Sequence, residues 1–269
     1  MPTVPVTDQQ LAQFREDGYA VFPTFFDADE LAAMLAELER FKGEGLARNV
    51  ATDGDGKTQS TTKTNYQIIP LNNKSTLFRA FPFNSKVVEV VGHLIGTPFV
   101  RHLDQIFLKP GRTGAGTSWH TDNAYFQISD PTKGVGMWIA LHDATLANGT
   151  LHVIPRSFLE TFAHERDLGS DHHITFAADD SRAVPIILPA GGAVFFNYGT
   201  GHGTKANNTD YERAGLAFHF LNTDYVANGR LTDGIVHITG PQATGGEREY
   251  GVPVAGTWQD EVRKLVAQA

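Results

Sequence analysis

A histidine and an aspartate stand two positions apart in the segment WHTDNAYF, and both are side chains that bind metal ions. In an extended segment, residues i and i+2 project from the same face, so His120 and Asp122 can converge on one point. Such a pair taken alone is more often a hydrogen-bonded pair than a metal site. The pattern therefore predicts a metal site only if a third donor comes from elsewhere in the chain.

The best candidate for that third donor is His202, in the segment NYGTGHGTKANN. It follows the strand-like GGAVFFN, and the glycines around it leave space for a ligand to approach the backbone. Two imidazoles and one carboxylate on one face of an ion leave three adjacent positions open, which is the arrangement of non-heme Fe(II) oxygenases. We therefore predict a metal site formed by His120, Asp122 and His202.

Arg213 follows His202 by eleven positions, in the segment YERAGLAFHF. Its guanidinium can bind a carboxylate through two parallel hydrogen bonds, which the point charge of a lysine does less well. Thr204 shares strand parity with His202 and offers a hydroxyl donor. A dicarboxylate held between Arg213 and the metal explains this spacing, and 2-oxoglutarate is such a ligand. The alternatives are an ion pair of Arg213 with Glu212 and a different clamp cation, such as Lys109.

The composition narrows the chemistry further. The chain of 269 residues has no cysteine, which excludes disulfides, thiolate nucleophiles, iron-sulfur clusters and Cys-ligated zinc. A formal net charge of -8 without a basic cluster argues against a nucleic-acid partner and favours a small molecule. No apolar run approaches the roughly 20 residues of a membrane helix. The start MPTVPVTDQQ lacks the features of a secretory signal, so a cytoplasmic location is the simplest expectation.

Helices are predicted near both ends of the chain. Thr7 and Asp27 each begin a capping-box pattern, and Gly18 ends the first helix before the strand-like YAVFPTFF. A third helix fits residues 84–96, and the closing TWQDEVRKLVAQA fits a terminal helix that packs outside the core. Residues 42–66 are polar and glycine-rich without periodicity, so we expect a long loop there and consider it a candidate lid.

Beyond residue 100 the pattern changes to short β-rich runs separated by turn residues. These runs are FVRHLDQIFLKPG, GVGMWIALHDA, GTLHVIP, VPIILPAGGAVFFNYG and RAGLAFHFLNT. They are typical of a β-sandwich or a barrel. Because helices precede the strands without alternating with them, the order favours a β-rich α+β architecture over a doubly wound sheet.

In the order and spacing of its motifs, the chain resembles the phytanoyl-CoA dioxygenase family of Fe(II)/2-oxoglutarate oxygenases. The resemblance covers most of the chain and rests on TDQQLAQFREDGYAVFPTFFDADEL, WHTDNAYF, MWIALHDATLANGTLHVIPRSF, LPAGGAVFFNYGTGHGT and ERAGLAFHF. It implies a double-stranded β-helix, a cupin-like jelly-roll core with flanking N-terminal helices and a C-terminal helix. We accordingly expect a single domain over 1–269, with a mainly helical flank and lid loop over 1–96, the jelly-roll core over 97–226 and a C-terminal extension over 227–269.

Carried over by position, the resemblance also implies cofactors and site residues. It implies Fe(II), 2-oxoglutarate and O2, and the implied iron ligands are His120, Asp122 and His202. It further implies that Thr204 and Arg213 hold the distal carboxylate of 2-oxoglutarate, and that Gln105 and Trp138 line the cosubstrate. The predicted activity is that of a dioxygenase that hydroxylates a small molecule and releases succinate and CO2.

Candidate substrate residues lie beside the iron motif and at one departure from the family. Asn123, Tyr125 and Phe126 are placed to orient a substrate, although Tyr125, Phe126 and Trp138 could instead be core aromatic residues. After NGTLHVIP the family usually continues Gly-Ser-His, whereas this chain continues RSF from Arg156, which could meet an anionic substrate. The polarity of the 42–66 segment favours a polar metabolite.

Four further histidines are not predicted to be metal ligands. His142 and His219 share strand parity with site residues, but we expect them to be satisfied core or rim residues. His172 and His173 lie in the polar run ERDLGSDHHITFAADDSRAV, where adjacent histidines in a loop are usually solvated, so we place them outside the site.

Two other functional classes stay open on the sequence. A jelly-roll protein can bind a metal or a sugar without catalysis, since fold alone does not fix activity. A zinc hydrolase could use the same three ligands. Binding of 2-oxoglutarate separates an oxygenase from the hydrolase, and the intact donor set together with Arg213 argues against the non-catalytic alternative.

Overall fold

The computed structural model describes residues 6–227 and 234–267. Within them the helices are α1 (Asp8–Asp17), α2 (Ala28–Gly43), α3 (Thr76–Ala80), α4 (Ser85–Ile95), α5 (Asn123–Phe126), α6 (Glu247–Tyr250) and α7 (Trp258–Val266). Short 3-10 helices cover Phe81–Phe83, Pro131–Lys133, Ser157–Leu159, Asp180–Arg182 and Thr223–Tyr225. None of the helices in these two ranges is both long and apolar enough to cross a membrane.

Local sequence signals set the ends of the first two helices. Thr7 Oγ1 accepts a hydrogen bond from Gln10 N at 3.2 Å while the Gln10 side chain accepts one from Thr7 N, which completes a capping box. Asp27 and Glu30 repeat the arrangement at the start of α2. Helix α1 ends at Gly18, whose φ of 89° lies in the left-handed region that favours glycine. Both helices are confirmed, as are the predicted α4 and α7.

The strands form two antiparallel sheets and one small hairpin. They are β1 (Tyr19–Phe22), β2 (Arg48–Asn49), β3 (Tyr66–Ile68), β4 (Phe99–Lys109), β5 (Thr117–His120), β6 (Gly134–Ala140), β7 (Leu151–Val153), β8 (Glu165–Arg166), β9 (Ile174–Thr175), β10 (Val184–Pro185), β11 (Ala193–Asn197), β12 (His202–Thr204), β13 (Arg213–Asn222) and β14 (Val236–His237). The major sheet has the order β1-β11-β6-β13-β4-β3-β2, with β14 also paired to β4. The minor sheet has the order β10-β7-β12-β5, and β8 pairs with β9.

The two faces of the major sheet pack against different partners. Along β13, Leu216, Phe218 and Phe220 belong to a core shared with α2, α4 and α7. Alternate residues of a strand point to opposite faces, and Ala217 lies in a second apolar cluster with Leu151 of the minor sheet. The fold is therefore the predicted β-rich jelly-roll, with helices on the outer face of the major sheet and a space between the two sheets.

A buried ion pair joins the helices to one another. Glu30 of α2 and Lys86 of α4 are in contact and are 4% and 6% exposed. Lys86 Nζ also donates to Phe25 O at 3.1 Å, and Trp258 Nε1 of α7 donates to Glu30 Oε1 at 2.7 Å. Both charges are thus partnered within the chain, and Trp258 attaches the terminal helix to the same pair.

The segment 42–66 differs from the predicted loop. Arg48–Asn49 form β2, which pairs with β3, and Val50 and Thr52 beyond it are buried. The Asn49 side chain donates to Ser60 O at 3.1 Å, so the segment also bonds to itself. The expectation of a loop without secondary structure was wrong for this part, because tertiary pairing overrides its polar composition. Its role as a lid stays a prediction.

Candidate active site

Two of the three predicted metal donors face each other across a strand pair. Strands β5 and β12 are antiparallel neighbours in which His120 lies directly opposite His202, and their ring centroids are 4.2 Å apart. Asp122 Oδ1 is 3.7 Å from His202 Nε2. One donor atom from each of the three residues lies within 4.8 Å of the others. The structure thus brings together the three residues that the sequence singled out.

The backbone at Asp122 differs from the expected extended geometry. Strand β5 ends at His120, and Asp122 has φ -62° and ψ -33° because α5 begins at the next residue. Tyr125 N and Phe126 N both donate to Asp122 O at 3.0 Å, which fixes this turn. The expectation that the two side chains converge from one extended face was therefore wrong, and the turn into α5 brings the carboxylate to the imidazoles instead.

Hydrogen bonds determine which nitrogen of each imidazole faces the site. His120 Nδ1 bonds to Ser118 O at 2.8 Å, and His202 Nδ1 bonds to Thr200 O at 3.0 Å. A carbonyl can only accept, so Nδ1 carries the proton in both rings and Nε2 presents a lone pair. Burial lowers the pKa of both histidines, so the rings are neutral at physiological pH. This is the state that a metal ligand requires.

Asp122 is a buried carboxylate without a complete set of partners. It is 4% exposed, and its Oδ2 has no hydrogen-bond partner among the described residues. His219 Nδ1 lies 3.5 Å from this oxygen and makes no hydrogen bond either. Burial raises the pKa of Asp122 to about 8. Two imidazole lone pairs and a desolvated carboxylate are all satisfied by one divalent cation, so these residues fit a metal ion.

Two buried cations lie in the same cavity as the metal donors. Arg213 and Lys109 are each 1% exposed, and they lie opposite each other on β13 and β4. Arg213 donates to Gly149 O at 2.7 Å, while its Nε has no partner. Lys109 Nζ contacts Thr204 Oγ1 and donates to Lys205 O at 2.7 Å. The positive charges therefore meet only neutral oxygen atoms.

Neither cation has an anionic partner in residues 6–227 or 234–267. Glu212, the alternative partner considered for Arg213, pairs instead with Lys42 at 2.9 Å. Burial lowers the pKa of Arg213 to about 10, so this side chain stays charged at neutral pH. Burial and the neighbouring Arg213 lower the pKa of Lys109 well below its ordinary value. Because an unpaired buried charge is costly, this end of the cavity suits an anionic ligand.

Trp138 and Gln105 lie on the wall of the same cavity. The guanidinium carbon of Arg213 is 5.5 Å from the centroid of the Trp138 ring. Gln105 Oε1 accepts a hydrogen bond from Gln67 Nε2 at 2.7 Å. Of the two residues that the family resemblance assigned to the cosubstrate, Trp138 therefore lies beside Arg213, whereas Gln105 lines the same cavity and bonds to Gln67.

Two glycines make room for the aromatic rings of this wall. A Cβ at Gly215 would lie 2.4 Å from Trp138 Nε1. A Cβ at Gly136 would lie 2.7 Å from the ring of Phe196 and 3.0 Å from Asp122 Oδ2. Neither position has space for a side chain, so glycine at these two positions lets the Trp138 and Phe196 rings pack against the inner face of the major sheet.

A cavity of about 220 Å³ contains both the metal donors and the cations. The predicted site residues that line it are His120, Asp122, His202, Thr204, Arg213, Gln105, Trp138, Tyr125 and Phe126. Asn123 and Arg156 do not line it. The Asn123 side chain bonds to the backbone of Ile128 at 3.0 and 3.2 Å, and Arg156 is exposed.

Strand β4 contributes cavity residues that the sequence analysis missed. Leu103, Phe107 and Lys109 line the cavity together with Gln105. All four have the same parity, and alternate residues of a strand share a face. The two-residue period of this strand could therefore have indicated the other three once Gln105 was assigned, and Lys109 had been considered only as an alternative clamp.

The four histidines that were not predicted to bind the metal have different environments. His142 lies outside the lining, and its Nδ1 accepts from Ala214 N at 3.1 Å. His219 lines the cavity without belonging to the cluster of three metal donors. His172 and His173 also line it, and His173 is only 7% exposed. The expectation that this pair lies outside the site was wrong, because the β8–β9 hairpin packs against β5 and carries His173 to the cavity.

The inner face of this jelly-roll carries two histidines and a carboxylate, together with buried cations that suit an anionic ligand. This combination defines the class of non-heme, 2-oxoglutarate-dependent Fe(II) oxygenases. Comparison with known proteins agrees with this class. The family model described as Phytanoyl-CoA dioxygenase (PhyH) matches residues 14–215. The chain belongs to the phytanoyl-CoA dioxygenase family, as the motifs of its sequence predicted.

Relatives and solved structures span most of the chain. Ectoine dioxygenase of Stutzerimonas stutzeri is 25% identical over 245 residues, with 83% of this chain and 80% of the relative covered. Phytanoyl-CoA dioxygenase 1 of Oryza sativa subsp. japonica is 28% identical over 259 residues, with 83% and 92% covered. The structure of the non-heme alpha ketoglutarate dependent carbocyclase SnoK matches with a TM-score of 0.68 at 18% identity, covering 92% of both chains. EctD from S. alaskensis with 2-oxoglutarate and 5-hydroxyectoine matches with a TM-score of 0.65 at 20% identity, covering 84% and 79%. At these identities the two structures show the shared fold.

Proposed function

We propose that His120, Asp122 and His202 bind Fe(II), and that the enzyme hydroxylates a small molecule. The cosubstrate's distal carboxylate is bound by Arg213, Lys109 and Thr204, and Gln105 and Trp138 line the cosubstrate. One observation carries the proposal: a single cavity holds an unsatisfied carboxylate-imidazole cluster and two buried cations that lack a carboxylate partner in the described chain. 2-Oxoglutarate has a chelating keto acid at one end and a carboxylate at the other, so it satisfies both.

When bound, Fe(II) with 2-oxoglutarate and O2 supplies the oxidising chemistry, in which 2-oxoglutarate becomes succinate and CO2 and the substrate gains a hydroxyl group. The residues of the chain bind and orient the reactants. Thr204 Oγ1 accepts from Lys109 and from Thr117 N at 2.9 Å, so its hydroxyl hydrogen remains free to donate to a carboxylate. Arg213 and Lys109 neutralise that carboxylate, and both side chains are almost fully buried.

The test is metal binding by single variants. Asp122→Ala and His202→Ala should each weaken Co(II) binding, followed by visible absorption, by more than roughly 100-fold, because loss of an outer-shell partner alone costs about 10- to 100-fold. Both should also lose nearly all substrate-dependent succinate formation with Fe(II) and ascorbate. His142→Ala is the matched control and should bind Co(II) like the unmodified protein. Undiminished Co(II) binding by both variants contradicts the assignment.

The two alternative functions make different predictions for the same protein. A zinc hydrolase with these ligands has no need of 2-oxoglutarate, so a calorimetric titration of the metal-loaded protein should show no binding. A non-catalytic metal-binding protein could bind it but should not release succinate with any member of a metabolite panel. The uncompensated Arg213 and Lys109 favour the oxygenase over both.

Four further expectations stay predictions. They are the single domain over 1–269, the cytoplasmic location, the absence of a nucleic-acid partner and the roles of Asn123 and Arg156 toward a substrate. The enclosed cavity supports a small-molecule substrate. Residues 1–5, 228–233 and 268–269, which include part of the start on which the location rests, lie outside the described residues.

A further inference from the structure

The apolar and aromatic part of the cavity wall limits the kind of substrate that can bind. We infer that the primary substrate is an uncharged, largely apolar molecule with a carbonyl or hydroxyl group, whose body lies among Phe107, Tyr125 and Phe126 and whose polar group meets His173 and Gln67. This inference rests on the proposed function, because it takes the cationic end of the cavity to be filled by 2-oxoglutarate.

The distribution of charge is the first observation behind this inference. Among the described residues that line the cavity, the acidic and basic side chains other than histidine are Lys109, Asp122 and Arg213. All three are assigned to the metal and the cosubstrate. The described lining therefore contains no other Lys, Arg, Asp or Glu that could form an ion pair with a charged group of the substrate. A charged group moved from water to such a wall would lose its hydration without gaining a partner, which is strongly unfavourable.

The rest of the wall is mainly apolar and aromatic. Phe107 of β4 and Ile69, just after β3, line the cavity together with Tyr125 and Phe126 of α5. The Tyr125 ring centroid is 5.9 Å from that of His120, so the aromatic wall reaches the metal donors. Ile69 and Tyr125 are 38% and 37% exposed, and they mark the open end of the cavity. An apolar body entering there would be enclosed by rings close to the reacting centre.

Polar side chains, among them His173 and Gln67, interrupt this apolar wall. The His173 ring lies 6.2 Å from the Phe107 ring, and burial lowers the pKa of His173 to about 3, so the imidazole is neutral. Among residues 6–227 and 234–267, the hydrogen bonds of His173 use its backbone, and its ring nitrogens have none. Gln67 uses one amide hydrogen on Gln105 and keeps the other. A neutral imidazole and an amide can bond to a carbonyl or a hydroxyl without requiring a charge.

This inference revises the preference for a polar metabolite, which rested on the 42–66 segment. That segment is described throughout, and none of its residues lines the first cavity. Residues 51–54, Lys63 and Asn65 line a second cavity of about 550 Å³ instead. Arg156, considered as an anchor for an anionic substrate, lines neither. The polar features of the sequence that suggested a polar or anionic substrate are therefore outside the cavity that contains the metal donors.

The test compares three probes that share a phenylethyl body. Benzylacetone is neutral and carries a carbonyl, hydrocinnamate is anionic and phenethylamine is cationic. Each is titrated by ligand-observed NMR into protein loaded with Mn(II) and 2-oxoglutarate. We expect benzylacetone to bind at least about tenfold more tightly than either charged probe. Equal or tighter binding of a charged probe, or no binding of benzylacetone, overturns the inference.

Variants then locate the two parts of the site. Phe107→Lys places a cation on the wall and should reverse the preference in favour of hydrocinnamate, whereas Leu146→Lys, at an exposed position outside both cavities, should leave it unchanged. His173→Leu should weaken benzylacetone roughly five- to tenfold, the usual range for one lost hydrogen bond, but not butylbenzene, which lacks the carbonyl. An unchanged preference in Phe107→Lys, or equal losses for the two probes in His173→Leu, contradicts the assignment.

A titration with 2-oxoglutarate on the same samples separates this inference from the proposed function. If the metal-loaded protein binds 2-oxoglutarate in an Arg213-dependent manner and the probes rank differently from expectation, only the substrate class is wrong. If 2-oxoglutarate does not bind, the assignment of the cationic end fails and the substrate inference fails with it.

Discussion

Lys86 and Lys109 are both buried lysines, but their surroundings differ in kind. Lys86 contacts the carboxylate of Glu30, which also accepts from Trp258, so its charge is neutralised within the chain. Lys109 lies beside the guanidinium of Arg213 and contacts only neutral oxygen atoms. The first lysine belongs to a completed ion pair between helices, whereas the second belongs to a cluster of like charges without an internal counter-charge.

The difference shows that burial of a charge does not by itself indicate function. A completed pair such as Glu30 and Lys86 holds helices in place, and it loses stability when one partner is removed. An uncompensated pair such as Lys109 and Arg213 lowers the stability of the free protein, and binding of an anionic ligand raises that stability. The missing counter-charge is the feature that distinguishes a binding end from a structural contact.

The largest expected effect is the loss of stability when the ion pair of Glu30 and Lys86 is broken. Lys86→Met leaves the Glu30 carboxylate buried without its counter-charge, which costs on the order of 3–5 kcal/mol of unfolding free energy. The double variant with Glu30→Gln should be closer to the unmodified protein than Lys86→Met alone. Urea unfolding followed by circular dichroism measures both. If Lys86→Met unfolds at the same urea concentration as the unmodified protein, the pair does not stabilise the helices.

The uncompensated cluster should respond in the opposite way. Arg213→Ala removes an unfavourable buried charge together with its hydrogen bond to Gly149 O, and because the two effects oppose each other, stability without ligand should change little. Its affinity for 2-oxoglutarate should fall roughly 30-fold or more, since truncating one partner of a buried charge pair costs about 2–5 kcal/mol. Arg213→Lys should recover only part, because a lysine cannot form the bidentate pair. Equal affinities of the three proteins in calorimetry would move the clamp to Lys109.

Ligand-induced stabilisation distinguishes the two clusters in one experiment. 2-Oxoglutarate at a hundred times its dissociation constant should raise the unfolding free energy of the metal-loaded protein by about 2.7 kcal/mol. Lys86→Met should gain the same increment from its lower baseline, whereas Arg213→Ala at the same concentration should gain much less. Thermal unfolding with and without the ligand measures this. An equal gain in Arg213→Ala would place the ligand elsewhere.

The smallest expected effect is a change in the number of bound protons when 2-oxoglutarate binds. Burial and Arg213 lower the pKa of Lys109 in the free protein, and a bound carboxylate raises it again. At a pH between the two values, 2-oxoglutarate binding should therefore take up a fraction of one proton, and Lys109→Met should remove that uptake. Calorimetry in buffers of different ionisation enthalpy measures the uptake. The same uptake in Lys109→Met would assign the proton to another group.

The sequence predicted the elements whose signals are local. The capping boxes at Thr7 and Asp27 fixed the starts of α1 and α2, and the β-rich run RAGLAFHFLNT indicated the strand β13. The donor set was found because each of its members lies in a short motif with characteristic spacing. The β2–β3 pairing was not predicted, because Arg48–Asn49 gain their strand geometry from a partner and not from their own sequence.

The residues that we assign to the substrate could not be predicted from local sequence signals. His173 lies in a hairpin whose strands have two residues each, too short for any periodicity. The hairpin is held beside the cavity by a tertiary contact, in which Ile174 N donates to the Tyr125 hydroxyl at 2.9 Å. A polar composition predicts solvation on average, but it contains no information about which polar residue a distant hydroxyl will fix against the site.

The close approach of Trp138 to Gly215 and of Phe196 to Gly136 has a consequence for directed evolution of this enzyme. Neither glycine lines the cavity, yet any larger residue at either position would push an aromatic ring into the space reserved for cosubstrate or metal. Mutational tolerance should therefore also be low at two positions that do not line the cavity. A library intended to change the accepted substrate would keep both glycines and randomise Ile69, Leu103 and Phe107.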